Sequence, residues 1–413
     1  MKSICLYFTV HQPVRLKRLR FFDIGNADCY YDDYQNETIL KKVAQNSYLP
    51  ANKMILELIN KYQGRFKVAF SISGTALDQF RVYAPQVIES FRELAATGNV
   101  EFVAETHSHS LASIKDKSEF KKQIKLNADS IESLFGLRPS VVANTELIYS
   151  DEIGEMIAEM GYKAILTEGP HHILNWRSPN YLYRNAINPS LTILLNNDLL
   201  SNDIAHRFSD SHWSGWPLTA QKFVSWLSKL PEKERIVNLF MNYETFGERH
   251  KSESGIFDFL NTLPSAVFRK SEFKFHTPSD ILDNYEPISK LNAPTAISWA
   301  DSEKDLSAWL RNELQQEALE NLYELSEKIE HCHDEKLLKD WQYLQTSDHF
   351  YYMSTKHHYN HAIHASCSPY DSPYDAFINY LNVLNDFTLR LNKALIPKEY
   401  KGSMPIKKTK IAV

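Results

Sequence analysis

Two kinds of hydrophobic patterning alternate along the first two-thirds of this chain, and that alternation restricts the folds open to it. Ser3–Val10, Phe66–Ile72, Val100–Glu105, Ser140–Ala143, Ala164–Thr167 and Ile236–Met241 are short apolar runs that read as strands. Between them lie segments with helical spacing: Leu49–Lys61, Ala84–Ala96, Lys117–Phe135, Asp151–Met160 and Thr219–Ser228. Gly98, Gly136 and Gly161 stand just beyond helix ends, and Ser150 is placed as an N-cap. Strand–helix alternation implies parallel strands with covering helices, and seven or eight such units would close a barrel.

Beyond about Trp299 the pattern becomes helical throughout, over Asp305–His331, Glu335–Gln345 and Ser372–Asn392. The expected organisation is a barrel over 1–295, a helical domain over 296–395 and a loose tail over 396–413. A chain of 413 residues, 43% of them hydrophobic, has ample material for both cores. The net charge of -5, with only the short Lys407-Lys408-Thr409-Lys410 run as a basic block, argues against nucleic acid and anionic membranes as partners. No apolar run approaches the roughly 20 residues of a membrane span, and the first ten residues read as a strand rather than a leader. A soluble, cytoplasmic protein is expected. Four scattered cysteines, with no C-x-x-C pair, are expected to be reduced and mostly buried. The 22 Tyr, 22 Phe and 7 Trp fit either sugar stacking or a well-filled core, and composition does not decide between them.

In α/β barrels, chemistry sits where strands end, and four motifs fall at such points. His11-Gln12-Pro13 follows the first strand. Gly98-Asn99-Val100-Glu101 opens another, which runs on to Glu105-Thr106-His107-Ser108-His109. Val141-Val142-Ala143 ends in Asn144-Thr145-Glu146. The last apolar run ends in Asn242-Tyr243-Glu244-Thr245-Phe246-Gly247-Glu248. Retaining glycoside cleavage needs a carboxylate nucleophile and a second carboxyl as acid, about 5 Å apart; Glu146 is the nucleophile candidate. Asn242 and Glu244, two apart in an extended segment, face one side. His107-x-His109 lacks a nearby third ligand, so no metal is expected.

Taken in order, these motifs resemble glycoside hydrolase family 57, in its α-amylase branch. The resemblance continues through Ile297-Ser298-Trp299-Ala300-Asp301, Asp305-Leu306-Ser307-Ala308-Trp309-Leu310, Thr346-Ser347-Asp348-His349-Phe350-Tyr351-Tyr352-Met353 and Ser368-Pro369-Tyr370-Asp371. It implies an α/β fold, a (β/α)7-type barrel followed by a C-terminal helical domain, and retaining action on α-1,4-glucans or maltooligosaccharides, by hydrolysis or transfer, without metal or other cofactor. By position, Glu146 is the implied nucleophile. His11, Glu101 and Glu244 are the implied substrate-binding residues, Trp309 an aromatic wall of the cleft, and His109, Asp203 and Arg207 further lining.

One departure matters. Asn242 stands where the family pattern places its acid/base aspartate. An amide donates a hydrogen bond but no proton, and removing a general acid typically costs 10²–10⁴ in rate. Three outcomes follow: a neighbouring acid (Glu244, Glu248 or Asp203) substitutes, turnover is slow, or the chain binds glucan without cutting it. The alternative reading is thus a non-catalytic glucan-binding protein of glycogen or starch metabolism. A metal-dependent polysaccharide deacetylase would need an Asp-His-His set that the sequence does not supply. His357, His361 and His364 share one face if their segment is helical, and read as solvated or packed side chains. The sequence leaves oligomeric state and glucan preference open.

Overall fold

All nine residues of the first strand, β1 (Lys2–Val10), are buried, because both faces of the strand are covered. Cys5 and Tyr7 enter an inner apolar cluster with Ala69, Val103, Leu166 and Phe240. Ile4, Leu6, Phe8 and Val10 enter an outer one shared with the helices. The protein is described here by a computed structural model covering residues 1–27, 29–270, 272–356 and 368–396. The histidines His357, His361 and His364, and the tail from residue 397, lie outside the described residues.

β1 is flanked in parallel by β2 (Val68–Ile72) and β8 (Ile236–Asn242), and β3 (Val100–Phe102) follows β2. A second sheet runs in parallel through β4 (Val141–Ala143), β5 (Ala164–Thr167) and β7 (Thr192–Leu195). β6 (Leu182–Asn185) lies antiparallel on the outside of β7. Two seams join the sheets. Ala104 bridges Val142 in parallel, with backbone bonds of 2.9 and 2.8 Å to Val141 and from Ala143. Between β7 and β8, Asn197 N donates to Asn238 O at 2.9 Å, and side chains add to it: Asn238 Nδ2 donates to Leu195 O at 2.8 Å, and Phe240 N to Asn196 Oδ1 at 3.2 Å. The ring β8-β1-β2-β3-β4-β5-β7 is a (β/α)7 barrel of parallel strands, and helices follow it from Ser307 to Leu395.

Helix punctuation follows local chemistry. Lys117–Phe135 ends at a left-handed Gly136 with φ of 71°, and Ser150 caps Asp151–Glu159 through a bond to Ile153 N. The single helix expected over Asp305–His331 is instead three: Ser307–Leu310, Glu313–Tyr323 and Ser326–Glu330. Asn312 forms a capping box with Gln315, which starts a new helix inside that span. No helix among the described residues is long and apolar enough to cross a membrane.

The loop beyond β8 is seated by Gly247. Its φ is 101°, and a Cβ built there would overlap the carbonyl oxygen of Asn46. Gly247→Ala is therefore expected to destabilise the protein by about 1–3 kcal/mol, read as a lower urea midpoint, and to displace the Tyr243–Thr245 turn that carries Glu244.

Candidate active site

Residues two apart on a strand share a face. The inward set marked by Tyr7, Ala69, Val103, Leu166 and Phe240 therefore continues beyond the pairing as Thr9 and His11, Ser73, Glu105, Glu168 and Asn242. These side chains line the C-terminal mouth of the ring.

Glu146 follows β4 in the turn Thr145–Leu147, which Asn144 caps. Glu146 and Leu147 each have φ of 54°, and His109 has φ of 51°. Such left-handed residues cost on the order of 1–3 kcal/mol each and persist only where surrounding bonds hold them. Both carboxylate oxygens of Glu146 are held: Trp299 Nε1–H donates to Oε2 at 2.6 Å, and His109 Nε2–H to Oε1 at 3.1 Å. Its side chain keeps 26% of its exposure, so lone pairs remain for a ligand. Trp299 arrives because residues 297–299 run antiparallel to 146–149. Ile297 N donates to Tyr149 O at 2.8 Å, and Trp299 N to Glu146 O at 3.3 Å.

His109 Nδ1–H donates to Glu105 Oε2 at 2.7 Å, and Glu105 is 1% exposed. Burial alone would keep this imidazole neutral. The hydrogen bonds and charges of Glu105 and Glu146 outweigh it and raise the pKa to about 10. His109 is therefore an imidazolium clamped between two carboxylates. His11 stacks on it, with centroids 3.8 Å apart and planes at 17°.

His11 bonds Ser73 Oγ through Nδ1 at 2.8 Å and Asp348 Oδ2 through Nε2 at 2.9 Å. Burial and the charge on His109 push its pKa down, against the pull of Asp348. We assign it the neutral tautomer that accepts from Ser73 and donates to Asp348. Burial opposes ionisation of Asp348, yet His11, His109 and His349 around it hold its pKa down to about 2. The contact is thus a charge-assisted hydrogen bond rather than an ion pair. Asp348 is delivered by a second antiparallel dock: Thr346 bridges Ser110, and Ser347 N donates to His109 O at 2.9 Å.

These shifts set a pH dependence. His109 lies above its free value of 6.5, so its contribution to stability is complete below that pH and lost as pH rises through about 10. Asp348 lies below its free value of 3.8, so its contribution is present above that pH and lost as pH falls toward 2. In between, two opposing trends offset. Glu168 and Glu244, raised by burial to about 7, weaken the fold as pH rises from 4.5 to about 7. His107, His206 and His349, lowered by burial to about 4, strengthen it as pH rises toward 6.5. Urea midpoints measured across pH should form a plateau near neutrality that falls at both ends.

The structure also places the other expected residues. Asn242 is exposed at the end of β8, paired in register with Thr9. Glu244 receives the Tyr48 hydroxyl and, at 3.4 Å, Gln12 Nε2. Asp203 pairs with Arg207 at 2.8 Å in a groove with Trp213 and Trp226. Two expectations need correction. Glu101 faces inward but lies a layer below the mouth. It pairs in register with Ala69, and its carboxylate accepts from Ser279 N at 2.8 Å and Ser279 Oγ at 2.7 Å. There it serves the start of the helix Pro278–Asn284 rather than a ligand in the mouth. Trp309 is 2% exposed and packs among the helices, with Tyr351 at 6.4 Å, so it walls no cleft. The indole that reaches Glu146 is Trp299.

Four site residues went unassigned in the sequence. Trp299 and Asp348 sit inside recognised motifs, but only tertiary docking shows their partners. Glu105 and Glu168 were accessible to the parity rule, since each lies two residues beyond an inward apolar residue. Glu168 is 1% exposed, accepts from Asn196 Nδ2 at 3.1 Å and lies 3.7 Å from Lys304 Nζ. Lys304 in turn donates to Trp299 O at 3.2 Å. Among the described residues, no group of three or more His, Cys, Asp or Glu is placed to hold a metal ion.

A parallel seven-stranded ring whose mouth holds clamped carboxylates, closed over by helices, defines a carboxylate-bearing (β/α)7 barrel protein. The model for "Glycosyl hydrolase family 57" matches residues 5–298. A protein of Methanocaldococcus jannaschii described as "Putative alpha-amylase" is 38% identical over 410 residues, covering 96% of this chain and 86% of that protein. This chain belongs to glycosyl hydrolase family 57. The fold is shared with a branching enzyme from Thermococcus kodakaraensis solved with glucose (TM-score 0.70, 14% identity, 94% of this chain and 90% of that one). It is shared too with a 4-alpha-glucanotransferase from Thermococcus litoralis (TM-score 0.58, 18% identity, 92% of this chain), of which it spans 55%.

Proposed function

We propose that this protein acts on α-1,4-glucans with the retaining machinery of its family, Glu146 being the nucleophile and Asn242 occupying the place of the acid/base. The observation that carries the reading is the presentation of Glu146. It sits in the barrel mouth on a left-handed backbone, with Trp299 and His109 orienting both oxygens. Around the ring, the end of β4 and the end of β8 are separated by three strands one way and two the other. Side chains from those ends can therefore reach a sugar from opposite sides.

In the first step, a Glu146 oxygen attacks the anomeric carbon as the glycosidic bond breaks, and the departing oxygen requires a proton. Asn242 supplies a hydrogen bond only. In the second step, water attacks the same carbon and must lose a proton to a base, which an amide is not. Both half-reactions are slowed, and hydrolysis and transfer differ only in the acceptor of the second.

An α-glucosyl fluoride separates nucleophile from acid, because fluoride departs with little protonation. The C1–F bond breaks as the Glu146 oxygen–C1 bond forms. Mass spectrometry of the intact protein should show a glycosyl adduct, mapped to the peptide containing Glu146 and absent from Glu146→Gln. If the folded protein binds maltoheptaose but forms no adduct, the second reading, glucan binding without cleavage, replaces this one. That reading draws support from the engagement of nearby carboxyls elsewhere: Glu244 by Tyr48, and Glu248 by Asn46 at 2.7 Å and Lys251 at 3.2 Å.

A further inference from the structure

On the short way round the ring, only β5 and β7 stand between the strand leading to Glu146 and the strand ending in Asn242. Each is followed by a polar residue, Glu168 after β5 and Asn196 after β7, and the two are joined: Asn196 Nδ2 donates to Glu168 Oε2 at 3.1 Å. Asn196 is itself fixed. Its Oδ1 accepts from Phe240 N of β8 at 3.2 Å and from Ser201 Oγ, in the helix Asp198–Ala205, at 2.7 Å. The other oxygen of Glu168 accepts from Gly169 N at 3.1 Å.

Neither of those donors is charged. The cation paired with Glu168 is the Lys304 ammonium, 3.7 Å from Oε2, and that ammonium also donates to Trp299 O at 3.2 Å. Lys304 belongs to a short loop over 298–305, closed at its base by Ser298. Ser298 N donates to Lys304 O at 3.1 Å, and its hydroxyl to Asp305 O at 2.6 Å. Within the loop Asp301 and Lys304 hold φ of 52° and 54°, left-handed conformations that persist only under outside contacts. Lys356 supplies one such contact, donating to Asp301 Oδ2 at 3.0 Å. Glu168 supplies another through Lys304. The same loop carries the Trp299 indole that donates to Glu146 Oε2 at 2.6 Å. A continuous path of contacts thus runs from Asn196 through Glu168, Lys304 and Trp299 to the carboxylate of Glu146.

We propose that Glu168 is a positioning residue for the reaction at Glu146: it holds the Lys304 ammonium against the carbonyl of Trp299 and so seats the indole on the nucleophile. The proposal rests on the reading of Glu146 as nucleophile given above. At 1% exposure Glu168 does not reach a sugar, and it acts only through Lys304. Burial raises its pKa to about 7, with Asp198 pushing the same way and Lys304 opposing. His206 also lies in the field of Lys304, but burial lowers it to about 4, so it is neutral where Glu168 titrates. Below 7 the ammonium faces a neutral acid. Above 7 it faces a carboxylate and is held.

The indole N–H resonances of the intact protein, labelled in tryptophan, test this. Trp299→Phe identifies the Trp299 signal among those of the 7 tryptophans. That signal is expected to move as pH is raised through 7 and to stay fixed in Glu168→Gln, which keeps the shape and removes the charge. Lys304→Met removes the other end of the contact and should abolish the movement too, which serves if Glu168→Gln does not fold. A Trp299 signal that stays still in the parent, or moves equally in a folded Glu168→Gln or Lys304→Met protein, overturns the proposal. Adduct formation from α-glucosyl fluoride should rise over the same pH range in the parent. In Glu168→Gln it should stay at its low-pH rate, about 10–100-fold below the parent at high pH. Equal rates in the two proteins also overturn the proposal. The expected indole movement with no adduct in any of the proteins would keep Glu168 as the residue that seats Trp299, and would remove instead the reading of Glu146 as nucleophile.

Discussion

Aspartate in place of Asn242 is expected to raise the rate of α-glucan cleavage by about 10²–10⁴-fold. The position ends β8, opposite Thr9 in the register, and its side chain is exposed in the mouth. An aspartate there would protonate the departing oxygen and then draw the proton from the incoming water. Reducing ends released from maltoheptaose measure the gain. Consumption of α-glucosyl fluoride should change much less, because that leaving group does not wait for a proton. No gain in a folded Asn242→Asp protein would mean that more of the site than one acid has been lost, and would favour binding without cleavage. The residual activity of the unaltered protein is informative as well. Glu244 titrates near 7, raised by burial and opposed by the Tyr48 hydroxyl. If it stands in as the acid, that activity declines as pH rises through 7.

Replacing His109 with leucine is expected to cost about 3–5 kcal/mol of stability, the usual result of stranding one member of a buried ion pair. Glu105 is 1% exposed, and its other oxygen, Oε1, has no hydrogen-bond partner. Without the imidazolium its charge would be buried and uncompensated. The urea midpoint of His109→Leu should fall accordingly. The double variant Glu105→Gln/His109→Leu should recover much of the loss, since two changes in one network are not additive. A His109→Leu protein as stable as the parent would show that the imidazole is not the cation clamping the two carboxylates.

The barrel was legible in the sequence because its strands are buried on both faces and therefore apolar throughout, as β1 is, and because glycines and serines mark helix ends where Gly136 and Ser150 stand. β6 and β7 escape the pattern because β6 ends in Arg184-Asn185 rather than in an apolar run, and because the two pair antiparallel with no helix between them to mark a strand–helix unit. The positions of Glu146 and Asn242 at strand ends were legible for the same reason as the barrel: Asn242 directly follows the apolar run Ile236–Met241, and Glu146 stands three residues beyond Ala143. Glu101, implied by the resemblance, misled because position in a motif does not fix depth: it points inward at the wrong end of its strand. Trp309 misled because an aromatic in a cleft motif looks the same whether it faces the cleft or the core behind it. Trp299 and Asp348 depend on pairings between segments far apart in the chain, which no local pattern encodes.

Those same pairings bear on the order of events during folding. Tyr149 meets Ile297, and Ser110 meets Thr346, across more than a hundred intervening residues each. Closing such spans is entropically late and slow compared with forming helices or adjacent parallel strands. Pairing of β1 with β8 spans as much chain, but every ring strand precedes Trp299 and Asp348 in sequence, so during synthesis the strands are made while the Glu146 carboxylate still lacks its indole donor and His11 its aspartate. A chain cut short just after β8 would therefore hold every ring strand without Trp299 and Asp348 to orient Glu146 and His11.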